Sequence, residues 1–190
     1  MLASLYNESS LTSYFSNEIK ENGSFVSINK CFYCEGDNLK NDIIVNIKVD
    51  DFYNGLKISP TPPSADILVV VKGRSDDRFD IYVIELKDVR KMGSLNTKNI
   101  IDKFKTTIHD FISSRYDYIF LNKDFTICNL NLWVVCNRFS VSANDEISDE
   151  KHRERIKDTA MGTLLLAKPI KFGHRLFPLQ LKDSNTCEIL

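Results

Sequence analysis

The strongest constraint on the fold comes from two apolar runs near the middle of the chain. The first covers residues 65–73 (ADILVVVKG) and the second covers residues 79–88 (FDIYVIELKD). Both runs are apolar at consecutive positions, which is typical of central strands that are covered on both faces of a sheet. The polar segment that joins them, residues 74–78, is short enough for an antiparallel hairpin. We therefore expect two paired strands at the centre of a sheet.

Before these runs, the pattern predicts one helix and two further strands. The helix is expected over about residues 3–21, because apolar side chains recur there at helical spacing. These side chains are Leu11, Tyr14, Phe15 and Ile19. Runs with strand character follow at residues 25–34 and 42–49, and the turn-forming residues between them predict a hairpin.

After the two runs, the pattern predicts a helix and then a strand. The helix should span about residues 95–115, with Ser94 as its N-cap. Its apolar stripe consists of Ile100, Ile101, Phe104, Ile108, Phe111 and Ile112. The strand is expected at residues 129–137, and a strand–helix–strand order implies a right-handed crossover between parallel strands.

The C-terminal third is predicted to add a charged helix over residues 144–160 and strands within residues 162–172 and 176–182. The whole order describes an α/β (mixed α+β) fold, with a central mixed sheet flanked by helices. We expect residues 1–190 to form a single domain. Its core covers about residues 3–138, and residues 139–190 form a variable extension.

Composition narrows the class of protein only slightly. Hydrophobic residues make up 43% and charged residues 27% of the chain, as in ordinary soluble proteins. No apolar run approaches the roughly 18 residues that a membrane span needs, and the N-terminus lacks the pattern of a signal peptide. We therefore expect a cytoplasmic protein without membrane contact. The net charge of −1 neither indicates nor excludes nucleic-acid binding, because basic residues can be confined to one cleft.

The five cysteines are expected to be mostly reduced thiols in that compartment. Cys31 and Cys34 form a C-x-x-C pair, but the chain contains no second pair. A structural zinc site normally needs four clustered ligands, and no histidine lies at ligand spacing from the pair. Ordinary packing is the favoured interpretation, and thiol or zinc chemistry is the alternative.

Each of the two apolar runs contains charged residues. These residues lie at positions that should become neighbours when the runs pair as strands. Asp66 lies at the start of the first run, and Glu85 and Lys87 lie near the end of the second. Side chains alternate along a strand, so Glu85 and Lys87 point to the same face. In an antiparallel hairpin, Asp66 becomes their neighbour. Because charges inside a sheet are costly, this cluster is either a structural ion pair or a functional site.

Two carboxylates and a lysine suit metal-assisted cleavage of a phosphodiester. Magnesium prefers oxygen ligands and usually takes only one or two protein carboxylates, together with waters and phosphate. A metal can make a water more acidic and stabilise charge on the phosphate. A nearby lysine can position that water or neutralise the developing charge.

The residues that carry this chemistry resemble the signature of the PD-(D/E)XK nuclease superfamily. Pro63-Ser64-Ala65-Asp66 is followed, after residues 67–84, by Glu85-Leu86-Lys87. Two residues separate Pro63 from Asp66, where the family usually has Pro-Asp. The resemblance covers about residues 3–138 and implies a restriction-endonuclease-like αβββαβ core.

The resemblance also implies roles for individual residues. Asp66, Glu85 and the backbone carbonyl of Leu86 would ligate Mg²⁺, with Mn²⁺ as a substitute, and Lys87 would orient or activate the attacking water. Many members add a glutamate from the first helix. Glu18 is the best match because it falls on the inward stripe of the predicted helix, and Glu21 is the second choice.

Basic residues are candidates for contacts with phosphate groups, although a solvated surface is the default interpretation of each. One cluster follows the signature and the other lies in the tail. They comprise Arg90, Lys91, Lys98 and Lys103, and Lys168, Lys171, His174 and Arg175.

The function predicted from the resemblance is a Mg²⁺-dependent DNA endonuclease, most concretely a type II restriction-like enzyme. Cutting both strands of a palindromic site calls for two-fold symmetry, so a homodimer is expected. A junction resolvase, a defence nuclease or an RNA endonuclease would use the same residues. The alternative from another class is a non-catalytic subunit that binds nucleic acid.

Overall fold

A computed structural model describes residues 1–21, 23–88, 96–136 and 167–190. In these residues the α-helices are α1 (Leu2–Tyr6), α2 (Val49–Gly55), α3 (Thr97–Lys105) and α4 (Asp117–Phe120). A π-helical stretch, Thr106–Arg115, continues α3, and 3₁₀ turns cover Thr12–Tyr14 and Lys30–Phe32. The strands are β1 (Ile19–Glu21), β2 (Ser24–Ile28), β3 (Ile44–Lys48), β4 (Ile67–Lys72), β5 (Arg78–Lys87), β6 (Thr126–Cys136), β7 (Ile170–Phe172), β8 (Arg175–Phe177), β9 (Leu179–Asp183) and β10 (Glu188–Ile189).

The predicted central hairpin is confirmed. Strands β4 and β5 pair antiparallel, with Val70 opposite Ile81. Val70 and Ile81 belong to one buried cluster, whereas Val69 and Ile84 belong to a second buried cluster on the other face of the sheet. The hairpin is therefore covered on both faces, which is why its sequence is apolar at consecutive positions.

The hairpin lies inside a five-stranded mixed sheet of order β3-β4-β5-β6-β9. Strand β3 pairs antiparallel with β4, whereas β6 runs parallel to β5 and β9 runs parallel to β6. The segment between β5 and β6 contains α3, so the predicted strand–helix–strand unit with a parallel pair is confirmed. The fold is mixed α/β, with this sheet at its centre.

Helix α3 and its π-helical continuation pack on one face of the sheet. Phe104, Ile108, Phe111 and Ile112 are buried there, as the predicted stripe requires. The aromatic rings of Phe111 and Phe52 meet edge to face at 5.3 Å, which joins α2 to the same cluster. The predicted N-cap, Ser94, lies outside the described residues. The side chain of Asn96 accepts the hydrogen bond of the cap instead, from Asn99 N–H.

A small sheet covers the opposite face. It has the order β1-β2-β10 and contributes Ile19, Val26 and Ile189 to the second buried cluster. In that cluster they pack with residues of the central sheet that include Leu86 and Trp133. The described residues thus form three layers, which are the helices, the central sheet and the small sheet.

The prediction of one helix over residues 3–21 is wrong. Helix α1 ends at Tyr6, and the segment reaches a strand at Ile19. The side chain of Glu8 accepts hydrogen bonds from the backbone and hydroxyl of Ser10, so local polar side chains offer the backbone an alternative to the helix. Farther on, Phe15 forms a β-bridge with Ile47. Tertiary pairing therefore overrides the helical spacing of the apolar residues.

The prediction of a hairpin between residues 25–34 and 42–49 is also wrong. Strand β2 ends at Ile28, pairs with β1 and β10, and belongs to the small sheet. Directly after it, the side chain of Asn29 accepts a hydrogen bond from Cys31 N–H and begins a 3₁₀ turn. Strand β3 pairs with β4 instead. Residue preferences predict a strand that continues to residue 34, but the capped turn ends it at Ile28.

The C-terminal predictions are confirmed only in part. The charged segment 144–160 lies outside the described residues. The tail forms β7 and β8, which pair as a hairpin, and β9, which joins the central sheet. Pro178 interrupts the predicted run 176–182, because proline has no N–H for a ladder bond. Among the described residues, no helix has the length and apolar character needed to cross a bilayer.

Candidate active site

Strand register places Asp66 beside Glu85. Ile67 at the start of β4 lies opposite Ile84, so Asp66 falls next to Glu85 at the same edge of the hairpin. The Oδ2 atom of Asp66 accepts a hydrogen bond of 2.6 Å from the N–H of Leu86. The Asp66 side chain therefore accepts the N–H of a β5 residue directly before β4 begins.

Glu85 carries the most deeply buried carboxylate of this cluster, with none of its side chain exposed. Its Oε1 atom lies 2.5 Å from the Nζ of Lys87 and 2.8 Å from the Nζ of Lys103. Lys87 follows two residues later on β5, so both side chains lie on one face. Within the described residues, no donor forms a hydrogen bond with the other oxygen, Oε2.

Lys103 joins the two carboxylates. Its Nζ lies 3.3 Å from Asp66 Oδ1 and 2.8 Å from Glu85 Oε1, and 16% of its side chain is exposed. Lys103 follows the buried Ile100 by three residues, which turns it toward the sheet. Four residues later, Thr107 Oγ1 accepts a hydrogen bond from Ala65 N–H at 3.0 Å, directly before Asp66. Two successive turns of the helix thus contact the same corner of the sheet.

Burial and mutual charge shape the electrostatics of this cluster. Desolvation and the charge of Glu85 raise the pKa of Asp66 to about 6, against the opposing effects of Lys103 and the Leu86 N–H. Desolvation lowers the pKa of Lys103, but the charges and hydrogen bonds of Asp66 and Glu85 outweigh it and raise that pKa overall. The lysine is therefore held as an ammonium between two carboxyl groups.

The cluster opens into a cavity of about 480 Å³. Its lining comprises Glu21, Asp50, Asp66, Leu86, Lys87, Asp88 and Lys103. Burial, followed by the charge of Asp66, raises the pKa of Glu21, so its carboxyl senses the same site. The opening is lined mainly by charged residues, and it connects the buried carboxylates to solvent.

Glu18 does not join the site. Its side chain is 71% exposed, it pairs with Lys20 at 3.7 Å, and it lines a different cavity next to Cys34. The cause is the replacement of the expected helix by strand β1, which changes which residue faces inward. Glu21, the second choice from the sequence, lines the cavity of the cluster instead.

Sequence reasoning placed Lys103 among the candidates for phosphate contact and missed its pairing with the carboxylates. Its spacing from Ile100 and Thr107 was the available signal, since all three fall on one side of a helix. Asp50 was missed altogether. It lies in the first turn of α2, where no spacing in the sequence connects it to Asp66.

The other basic candidates lie apart from the carboxylates or outside the described residues. Arg90 and Lys91 are outside them, and Lys98 is exposed on α3. Lys168, Lys171 and His174 are exposed in the tail. Arg175 is exposed as well, donates a hydrogen bond to the carbonyl of Cys128 at 3.0 Å and stacks over the ring of Phe177.

The cysteines form no disulfide. All five are free thiols, with Cys31 and Cys34 exposed and Cys136 and Cys187 buried. The described part of the chain contains no group of three or more histidine, cysteine, aspartate or glutamate side chains that could hold a metal ion.

The oxygen atoms of Asp66 and Glu85 are suited to bind a hard divalent cation such as magnesium. Asp66 Oδ1 and Glu85 Oε1 converge on a single cationic position, since one ammonium contacts both. Glu85 Oε2 is buried and has no hydrogen-bond donor among the described residues. Two carboxylates with an adjoining solvent cavity match the way magnesium is held, with waters completing its coordination.

Comparisons with known proteins found no match: no family model fits the chain, and no curated protein and no solved structure is significantly similar to it.

Proposed function

We propose that this protein is a metal-dependent endonuclease that hydrolyses phosphodiester bonds of DNA. The observation that carries the proposal is the convergence of Asp66 and Glu85 on one cationic position, with Lys87 on the same face. Placing three charged groups at this solvent-connected corner of the sheet costs folding free energy. A role in catalysis explains why the protein has them there.

The order of elements supports a restriction-endonuclease-like core as part of this proposal. Strands β3, β4 and β5 are followed by α3 and the parallel strand β6, and α1 precedes them. The order corresponds to αβββαβ once β1 and β2, which lie between α1 and β3, and α2, which lies between β3 and β4, are treated as additions to it. The carboxylates lie where the central hairpin ends, which is also where the resemblance to PD-(D/E)XK nucleases puts the reacting phosphate.

The chemistry follows from the position of each side chain. Asp66 and Glu85, with the carbonyl of Leu86, are the residues that would hold Mg²⁺, and Mn²⁺ is the proposed substitute. When bound, such a cation lowers the pKa of a nearby water and stabilises negative charge on the phosphate. Lys87, whose side chain is 30% exposed, reaches from Glu85 into the cavity and orients the attacking water there.

The proposed substrate is double-stranded DNA, cut by a homodimer as in type II restriction enzymes. Two copies related by two-fold symmetry present one such site to each strand of a palindrome. RNA or a branched junction is the alternative substrate, because the reacting group is a phosphodiester in each case. The exposed lysines Lys98 and Lys168 are proposed to contact the backbone.

The test is cleavage of mixed plasmid and phage DNA by the purified full chain, with Mg²⁺ or with EDTA. We expect fragments only with Mg²⁺, and their loss in Glu85→Gln and Lys87→Met. The matched control is Lys105→Met, which removes an exposed lysine of α3 and should keep wild-type activity. Equal cleavage in EDTA or in Glu85→Gln would contradict the proposal. Discrete fragments would support sequence-specific cutting, and a smear would contradict that part.

A second candidate function has one observation in its favour. Lys103 and Lys87 together already balance the charges of Asp66 and Glu85, as expected for a structural ion-pair cluster in a non-catalytic subunit that binds nucleic acid. Such a protein would retain DNA in a gel-shift assay with EDTA and would leave it uncut with Mg²⁺. The two candidates thus give opposite results in one cleavage experiment.

A further inference from the structure

The position of Lys103 has a consequence for metal binding, provided that the proposed function holds. Its ammonium contacts Asp66 Oδ1 at 3.3 Å and Glu85 Oε1 at 2.8 Å. For Asp66, Oδ1 is the oxygen that remains for a cation, because Oδ2 accepts the hydrogen bond of Leu86 N–H. An internal cation thus holds the place that a divalent cation needs.

We propose that Lys103 is a built-in counter-ion that competes with the divalent cation for Asp66 and Glu85 and is displaced when the cation binds. The inference deepens the proposed function by naming how occupancy of that site is regulated. Lys103 is a positioning residue in this scheme, because it acts through the two carboxylates.

Distance and charge make the two cations mutually exclusive. A magnesium ion held by Asp66 Oδ1 and Glu85 Oε1 would need contacts of about 2.1 Å with the two atoms that the ammonium now contacts. Both cations at that position would be within van der Waals contact, and their like charges would repel in a poorly solvated site. Metal binding through Asp66 Oδ1 and Glu85 Oε1 therefore requires the ammonium of Lys103 to leave.

The cavity gives the displaced ammonium somewhere to go. It borders Lys103 and carries the carboxylates of Glu21 and Asp50 on its wall. Burial and the charge of Asp66 raise the pKa of Glu21, and the charge of Lys103 offsets part of that rise, so Glu21 and Lys103 already interact. A lysine side chain has a flexible four-carbon stem, and a change of rotamer moves its ammonium by several ångströms. Displacement thus needs no movement of α3.

The competition has two measurable consequences. Without metal, Lys103 pairs with two buried carboxylates, so its loss should destabilise the metal-free protein. With metal, the same ammonium must be displaced, so its loss should strengthen metal binding. A merely structural lysine would give the first effect without the second.

The experiment compares Mn²⁺ binding to the full-length wild type and to Lys103→Met, which keeps the length of the side chain without its charge. Binding of Mn²⁺ alone is followed by electron paramagnetic resonance of the free ion, with DNA absent. We expect Mn²⁺ to bind Lys103→Met at least about tenfold more tightly, and its melting temperature to rise more on adding Mn²⁺. Lys105→Met is the matched control and should bind as the wild type does.

Several results would overturn the inference. Unchanged or weaker Mn²⁺ binding by Lys103→Met overturns the inference about Lys103. If the wild type still binds Mn²⁺ and cleaves DNA in that case, the proposed function stands without this inference. Absence of Mn²⁺ binding in both proteins, together with absence of cleavage by the wild type, overturns the proposed function as well. If Lys103→Met does not fold, Lys103→Gln replaces it, because glutamine keeps a hydrogen-bond donor without the charge. This variant should also bind Mn²⁺ more tightly than the wild type.

Discussion

Replacing Asp66 with asparagine tests the electrostatic description of the cluster without any metal. Asparagine has nearly the same shape as aspartate, and its Oδ1 can still accept the N–H of Leu86, but it carries no charge. In the wild type, burial and the charge of Glu85 raise the pKa of Asp66 from 3.8 to about 6. The substitution therefore removes one buried carboxylate whose ionisation is unfavourable.

The sign and size of the effect follow from that pKa. Above pH 6 the carboxyl is ionised in both states, and the folded state is penalised by about 2 pKa units, or about 3 kcal/mol. Below pH 3.8 it is protonated in both states and the penalty disappears. We therefore expect the unfolding free energy of Asp66→Asn, relative to the wild type, to increase by up to about 3 kcal/mol as the pH rises from 4 to 7.

The assay is urea unfolding in EDTA at several pH values, followed by the fluorescence of Trp133, the single tryptophan of the chain. Trp133 is buried in the second cluster, so its emission reports global unfolding. Asp124→Asn, which removes an exposed carboxyl, is the matched control. A flat or decreasing difference for Asp66→Asn would refute the assignment of a desolvated carboxyl.

Three further predictions concern the elements that hold and use the site. Thr107→Val removes the acceptor of Ala65 N–H and should lower the unfolding free energy by about 1–3 kcal/mol. Thr106 is less buried, so Thr106→Val should change the unfolding free energy little, and equal losses for the two variants in urea unfolding would contradict this. Lys87→Met should reduce the rate of DNA cleavage about a hundredfold or more while keeping Mn²⁺ binding within a few-fold, and loss of Mn²⁺ binding would contradict its role with water. Phe111→Ala, in the buried aromatic cluster, should cost about 3–5 kcal/mol of stability, and a change below 1 kcal/mol on urea unfolding would show that the ring is not packed as described.

Much of the central sheet could be predicted because its signals are local and strong. The two apolar runs determine β4 and β5, and the polar segment between them allows only a tight antiparallel connection. The stripe that includes Phe104 and Phe111 identifies the following helix. From these elements alone, Asp66 and Glu85 fall side by side, since register follows from a short hairpin.

The remaining features depend on contacts between distant parts of the chain. The spacing of Leu11 and Ile19 is equally compatible with a helix and with the turn and strand that form, and the pairing of Phe15 with Ile47 decides between them. That choice also decides whether Glu18 or Glu21 faces the site. The position of Lys103 also depends on distant contacts, because its pairing with both carboxylates requires α3 to dock on the sheet in one orientation. Periodicity alone does not predict that orientation.

The central claim is that Asp66 and Glu85 form a divalent-cation site that serves phosphodiester hydrolysis. The most direct measurement is the initial rate of DNA cleavage as Mg²⁺ is titrated, for the wild type and for Glu85→Gln. We expect a rate that rises from zero in EDTA to a plateau in the wild type and stays at the EDTA level in Glu85→Gln. A wild-type rate that does not depend on Mg²⁺, or full activity in Glu85→Gln, would contradict the claim.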